Sequence, residues 1–358
     1  MKKRFCSLLL ASAVLLSLCA CGASSAADGT KSETVLFTDS CGRTVELPRE
    51  IRAVAPSGQA ATLILPTIVP EKLVCIGAGI DEKQQTYLPE GLSDLPLTGQ
   101  LYGGKSTLNL EELLATGAEV VVDLGDYKEG VSEALDALQE QTGIPCIFIE
   151  ADLAHMAEAF RTLGGLFDRE ARGEELARLA EETLSMAAEN SAKIADKDKI
   201  SVMYSAGADP LGTNAQGSSQ AQVLGLVGAV NAVAVENATS KGGGNIVNLE
   251  QVYAFDPDVI LTTERTAYDI VTTDAAWREL RAVKSGRCYE IPAEPYCWLS
   301  SPPSMNMLLG VWWLGNLLYP EVYDYDMVFK AQEIYKTLWG YELSESGARE
   351  MLSLSTLK

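Results

Sequence analysis

Two glutamates occupy matching places in one repeated unit. Residues 108–124 read LNLEELLATGAEVVVDL and residues 247–263 read VNLEQVYAFDPDVILTT, and the two align without a gap. In each, an asparagine (Asn109, Asn248) is placed to cap a helix. Glu112 or Gln251 follows three positions on, a variant of the capping box. Glu111 and Glu250 therefore fall in the first helical turn. A first-turn acid gains about 0.3–1 kcal/mol from the helix dipole, which accounts for either glutamate taken singly. A matched pair can also present two carboxylates, one on each half of the chain, on one side of the molecule. Leu113, Leu114, Val252 and Tyr253 are expected to form the buried face of the two helices. These end near Gly117 and at Asp256-Pro257, just before the strands VVVDL and VILTT.

Other chemistry is excluded by what the chain lacks. It has one histidine, His155, too few imidazoles to capture bare Zn²⁺ or Cu²⁺. There is no GxSxG elbow, no HExxH and no second histidine for a Ser-His-Asp relay. A glycosidase working with carboxylates alone stays open among 49 acids. No cofactor is expected, and no metal held directly by protein ligands. The formal charge of −21 argues against nucleic acid. Eight cysteines are present, three of them in the first 21 residues. The rest (Cys41, Cys75, Cys146, Cys288, Cys297) lack CxxC spacing. Cys75 and Cys146 read as buried thiols, and Cys288 and Cys297 are the one candidate pair.

The elements that position these residues can be read in order. MKKRFCSLLLASAVLLSLCACG has a basic start and an apolar stretch too short to span a bilayer. Its end resembles a bacterial lipobox, with cleavage before Cys21 and a lipid on that cysteine. Residues 1–20 are then signal peptide and 21–34 a flexible tether, leaving about 338 residues outside the cytoplasm on a lipid anchor. TVLFTDSCGRTVELP (34–48) reads as a hairpin. IRAVAPS, KLVCIGA, EVVVDLG and PCIFIEA alternate with helical segments, which implies a parallel sheet within 35–152. Over 153–197 the spacing predicts one long helix, capped by Asp168 and about 37 Å long. KISVMYSAG, DVILTTE and GRCYEIPAE then supply strands to a second lobe, 198–358, closed by a helical tail from Met305. The expected fold is α/β: two Rossmann-like lobes with central parallel sheets joined by one long inter-lobe α-helix.

The motifs F-T-D-S-C-G-R-T-V-E-L-P, N-L-E-E-L-L-A, F-D-P-D-V-I-L, W-R-E-L-R-A-V-K-S-G-R-C-Y-E-I-P and W-W-L-G-N-L-L-Y-P stand in order over about 35–325. In this the chain resembles a class III substrate-binding lipoprotein of an ABC importer, the type serving ferric siderophores, haem, cobalamin and related complexes. The resemblance implies that Glu111 and Glu250 form salt bridges with arginines on the two subunits of a permease dimer, itself coupled to an ATPase. A monomer is expected, with two equivalent handles for two equivalent subunits.

The resemblance also places the ligand between the lobes, at loops following strand ends. The candidate walls are Ser57 and Gln59, Gln100, Tyr102 and Lys105 in LTGQLYGGKS, and Tyr127 beside Asp126 and Lys128. From the second lobe come Tyr204, Asn214, Lys241, Arg265, and Tyr296, Trp298, Ser301 and Ser304 in EPYCWLSSPPSMN. Ser304 precedes a helix whose first N–H groups can bind an anion. Each of these residues also has an ordinary structural reading, as a loop residue or an aromatic packed beneath one. An iron-siderophore-type chelate ranks first as cargo, with a corrinoid, haem or molybdate-like oxyanion next. A surface-anchored hydrolase is the alternative of another class.

Overall fold

The computed structural model describes residues 33–101, 107–239, 244–353 and 355. The signal segment, Cys21, Tyr102, Lys105 and Lys241 lie outside the described residues. β1 (Thr34–Thr38) and β2 (Thr44–Pro48) pair antiparallel, Thr34 opposite Pro48. Asp39 builds their turn: its carboxylate accepts from the backbone N–H of Cys41 and of Arg43, each at 3.0 Å. It also accepts from Phe148 N–H at 3.2 Å, fastening the hairpin to the sheet behind it.

That sheet has three parallel strands, β3 (Val54–Pro56), β4 (Val120–Gly125) and β5 (Cys146–Glu150), with β4 central. All but the last residue of β4 is buried, as expected of a strand covered on both faces. α1 (Gln59–Ile64), α2 (Glu82–Gln85), α3 (Leu110–Ala115), α4 (Val131–Thr142) and α5 (Met156–Leu166) intervene or follow. The run KLVCIGA, expected as a strand, makes only isolated bridges, Leu73 to Val54 and Ile76 to Leu97. The cause lies at Gly77, whose N–H donates to Thr62 Oγ1 at 2.9 Å. A Cβ there would stand 2.7 Å from Gly58 Cα, so close backbone contact replaces a ladder.

α6 (Glu170–Ser191) runs 22 residues, about 33 Å at 1.5 Å per residue. It begins later than its sequence suggests. Asp168 takes φ 56° in the turn closing α5, where Arg169 N–H returns to Gly164 O at 2.7 Å. Asp168 is thus spent on the turn, and Arg169 stands at the N-cap without a side-chain bond.

The second sheet runs β11 (Cys288–Glu290), β10 (Val259–Thr262), β6 (Ser201–Ser205), β7 (Gly212–Thr213) and β9 (Asn245–Ile246), with β8 (Val230–Asn231) also on β6. β8, β6, β10 and β11 are parallel; the short β7 and β9 add an antiparallel edge that the sequence pattern did not suggest. α7 (Gln222–Leu226), α8 (Leu249–Phe255), α9 (Arg265–Thr273) and α10 (Arg281–Lys284) connect these strands. α11 (Met307–Leu318), α12 (Met327–Trp339) and α13 (Glu345–Met351) close the chain. α11 is buried at every position except Asn316, which explains its apolar composition all round. No described helix is long and apolar enough to cross a membrane.

α6 packs on α5 and also on α7, α11 and α12. Arg172 at its start donates to Thr67 O at 2.8 Å and to Thr337 O at 2.6 Å. Farther along, Thr183 Oγ1 accepts from Trp312 Nε1 at 2.8 Å. Cys75, Cys146, Cys288 and Cys297 are buried and free, and Cys41 is half-buried and free. Burial pushes the Cys146 and Cys288 thiols up to about 12.

Candidate functional site

The strand ends of the first sheet open on a cavity of about 210 Å³. Ser57 reaches it from the end of β3, Gly125 and Asp126 from the end of β4, and Gln100 from the loop ahead of α3. Pro302 and Pro303, ahead of α11, close it from the other half of the chain. Gln59 and Lys128 complete the polar lining. Ser57 is fixed from behind: its N–H donates to Val122 O at 3.1 Å and its hydroxyl to the buried Asp123 carboxylate. Asp123 had a legible signal, a charge within the apolar run VVVDL, but sequence reasoning did not select it.

Asp126 lines this cavity and a second one of about 590 Å³, bounded by Asp152 and by residues of the 216–231 segment. Burial pushes the Asp126 carboxyl up; Lys128 opposes that and Asp152 adds to it. The first cavity therefore offers two amides, one hydroxyl and one lysine beside two carboxylates. Such a surface suits a polar ligand with hydroxyl or amide groups better than a bare, highly charged anion.

The remaining candidates are placed elsewhere. Tyr204 is fully buried, its hydroxyl 2.6 Å from Ser300 Oγ and 3.9 Å from Cys297 Sγ, and burial drives its pKa well above the ordinary value. Trp298 is fully buried and donates to Glu294 O at 3.1 Å; Tyr296 is buried nearby. As packed here these aromatics stand behind a wall rather than on it. Asn214 is also fully buried, and neither of its amide atoms has a partner among the described residues. The same holds for the Ser304 hydroxyl ahead of α11. Ser301 is exposed, at φ 61°. Tyr127 is exposed and packs edge-on to Phe148. Arg265 opens α9 away from the first cavity: it pairs with Glu290 at 3.0 Å and lines a third space of about 490 Å³ with Lys83 and Glu294.

Glu150, Asp152 and His155 bring possible metal-ligand atoms within 4.8 Å of one another. The His155 ring donates from Nδ1 to the Asp152 carboxylate at 2.8 Å, which raises the basicity of the imidazole, and the group reads as a surface ion pair.

The repeated units take a common form. Asn109 Oδ1 accepts from Glu111 N–H at 3.1 Å and Glu112 N–H at 3.3 Å. Asn248 Oδ1 accepts from Gln251 N–H at 2.8 Å, and Gln251 Oε1 accepts from Asn248 N–H at 2.9 Å, a closed capping box. Residues 109–115 and 248–254 share one exposure pattern, position for position. Glu111 and Glu250 are exposed, and neither carboxylate has an ion pair among the described residues. Leu114 and Tyr253, expected in the buried face, are 49% and 38% exposed. One turn of about 100° per residue carries them past the contact, so helices this short bury only Leu113 and Val252 fully.

Comparison with known proteins extends this picture. A family model described as periplasmic binding protein matches residues 81–295. The molybdate-binding protein MolA of Haemophilus influenzae is 24% identical over 329 residues, covering 85% of this chain and 90% of that one. The Fe(3+)-citrate-binding protein YfmC of Bacillus subtilis is 23% identical over 191 residues, covering 52% and 58%. The solved structure of an ABC transporter solute binding protein from Sulfurospirillum deleyianum has a TM-score of 0.81 at 26% identity, covering 89% of this chain and 99% of that chain.

Proposed function

This chain belongs to the periplasmic binding protein family, the class III substrate-binding proteins of ABC importers, and we propose that its cargo is a metal chelate of the ferric siderophore type. It is an extracytoplasmic binding protein, not an enzyme. Cys21 carries the lipid anchor. The lobes are 35–152 and 198–358, and α6 within 153–197 is the rod between them. Arg172 favours that role, because it ties the start of α6 to both Thr67 and Thr337. A helical rod resists bending, so ligand binding changes the lobe separation only modestly. The protein works as a monomer and docks on a permease dimer through Glu111 and Glu250.

The cavity between the β3 and β4 ends and Pro302-Pro303 carries the ligand reading. Asp123 and Asp126 oppose a naked oxyanion, whereas an organic chelate can turn hydroxyl and amide groups toward Ser57, Gln59 and Gln100. On sequence grounds the proposal also includes Tyr102, Lys105 and Lys241 as ligand-binding residues. The second reading is a molybdate-like oxyanion, favoured by the similarity to MolA and by the unpartnered Ser304 hydroxyl ahead of α11. Titration calorimetry of the purified protein with ferric citrate, a ferric hydroxamate, haem, cobalamin and molybdate decides between them. A ferric chelate alone is expected to bind. Binding of molybdate alone establishes the second reading, and binding of none of the five overturns both.

A further inference from the structure

Only nine large apolar residues are prominently exposed among the described residues, and four of them gather at the two acidic helices. Leu114 lies three positions after Glu111, and Tyr253 three after Glu250, which places each on the face of its glutamate. Leu97, 56% exposed, precedes Thr98, whose carbonyl accepts from the Asn109 N–H at 2.8 Å and so fixes that segment at the start of α3. Ile246, 75% exposed, ends β9 two residues before the Asn248 cap. A lone exposed leucine needs no explanation. Leu114 and Tyr253 hold the same place twice, each three residues after a carboxylate with no ion pair among the described residues and in one exposure pattern, which calls for an occupant with two equivalent sites.

We propose that each acidic helix carries an apolar anchor as well as a charge: Leu97 and Leu114 beside Glu111, Ile246 and Tyr253 beside Glu250. Each pair seats against an apolar patch flanked by a cation, once on each subunit of the permease dimer. This rests on the docking reading above and adds a component to it. Carboxylate–cation contacts steer and orient, and they weaken with salt. An apolar anchor at the centre of a contact survives salt and slows dissociation. The contact therefore has a salt-resistant part whose source is these four side chains.

The experiment uses the full chain and its cognate permease complex in lipid nanodiscs, with binding measured at about 50 mM and about 500 mM NaCl. The Leu114→Ser, Ile246→Ser double variant is expected to lose about tenfold or more in affinity at both salts, while keeping the parent's ligand affinity. Leu114→Met with Tyr253→Phe, which keeps most of the apolar surface, is expected to lose less. Glu111→Lys with Glu250→Lys is expected to abolish binding at low salt. Normal binding by the charge-reversed variant overturns the docking reading itself. Loss in that variant with parental binding by Leu114→Ser, Ile246→Ser at both salts overturns the anchor alone. Self-association of the parent chain that the serine variant removes overturns it also, by making the face a contact between copies.

Discussion

α3 and α8 show one surface to solvent but are attached by different chemistry. At the start of α3, Asn109 N–H is taken by Thr98 O, so no capping side chain returns to it. At the start of α8 no other described segment does this, and Gln251 supplies the bond instead. The exits differ more. Beyond Thr116, α3 leaves through Gly117 at φ 70°, which glycine adopts without a steric penalty. α8 leaves through Asp256 at φ 38°, where a Cβ is costly. Arg281 offsets that cost: its N–H donates to Asp256 Oδ1 at 3.0 Å and its guanidinium lies 2.9 Å from Oδ2. It also reaches Asp258 at 2.6 Å, at the root of β10. The constant feature is the outward face, and the attachments are what vary.

That contrast can be broken at three levels. The largest effect concerns equivalence. Glu111→Lys and Glu250→Lys, made singly, should each cut ligand delivery to the permease by a similar factor with ligand affinity unchanged. Transport assays in which one reversal is silent would end the equivalence. Next, each helix depends on one buried residue. Leu113→Ala should cost about 2–5 kcal/mol in urea unfolding, and Val252→Ala less, because fewer apolar atoms leave the core. Equal costs would mean that the helices are anchored by something other than those residues.

The smallest effect separates the exits. The Arg281 N–H, and then its guanidinium, hold the Asp256 carboxyl below the usual range. A depressed carboxylate stabilises the fold above its unfolded value, about 3.9, and that contribution is lost as pH falls through the folded value. Arg281→Ala should therefore lower the urea midpoint at pH 7, with the deficit shrinking below about pH 4. A deficit independent of pH would assign the role of Arg281 to packing.

The sequence conveyed most where one local rule suffices. The hairpin followed from alternation around D-S-C-G, the N-caps from Asn109 and Asn248, and β4 from an uninterrupted β-branched run. It conveyed less where an outcome depended on a neighbour distant in sequence. KLVCIGA has strand composition, yet Thr62 takes the Gly77 N–H. Asp168 is a good cap, yet the α5–α6 turn needs it elsewhere. In the cavity lining, Ser57, Gln59 and Gln100 were legible as polar residues after strand-like runs. Composition alone could not tell them from Tyr204 or Trp298, because an aromatic beside a loop supports it in one packing and lines it in another.

The buried thiols have a consequence for a protein exported from the cytoplasm. Burial pushes the Cys146 and Cys288 thiols up to about 12, so they stay protonated at neutral pH. Thiolate is the form that attacks disulfides and oxidants, so these cysteines can pass through an oxidising compartment without forming cross-links. Their inertness lasts only while the core stays closed. In a Cys41→Ser background, slow labelling of Cys146 and Cys288 by an aromatic disulfide reagent would accordingly report the opening of both sheets without an engineered cysteine.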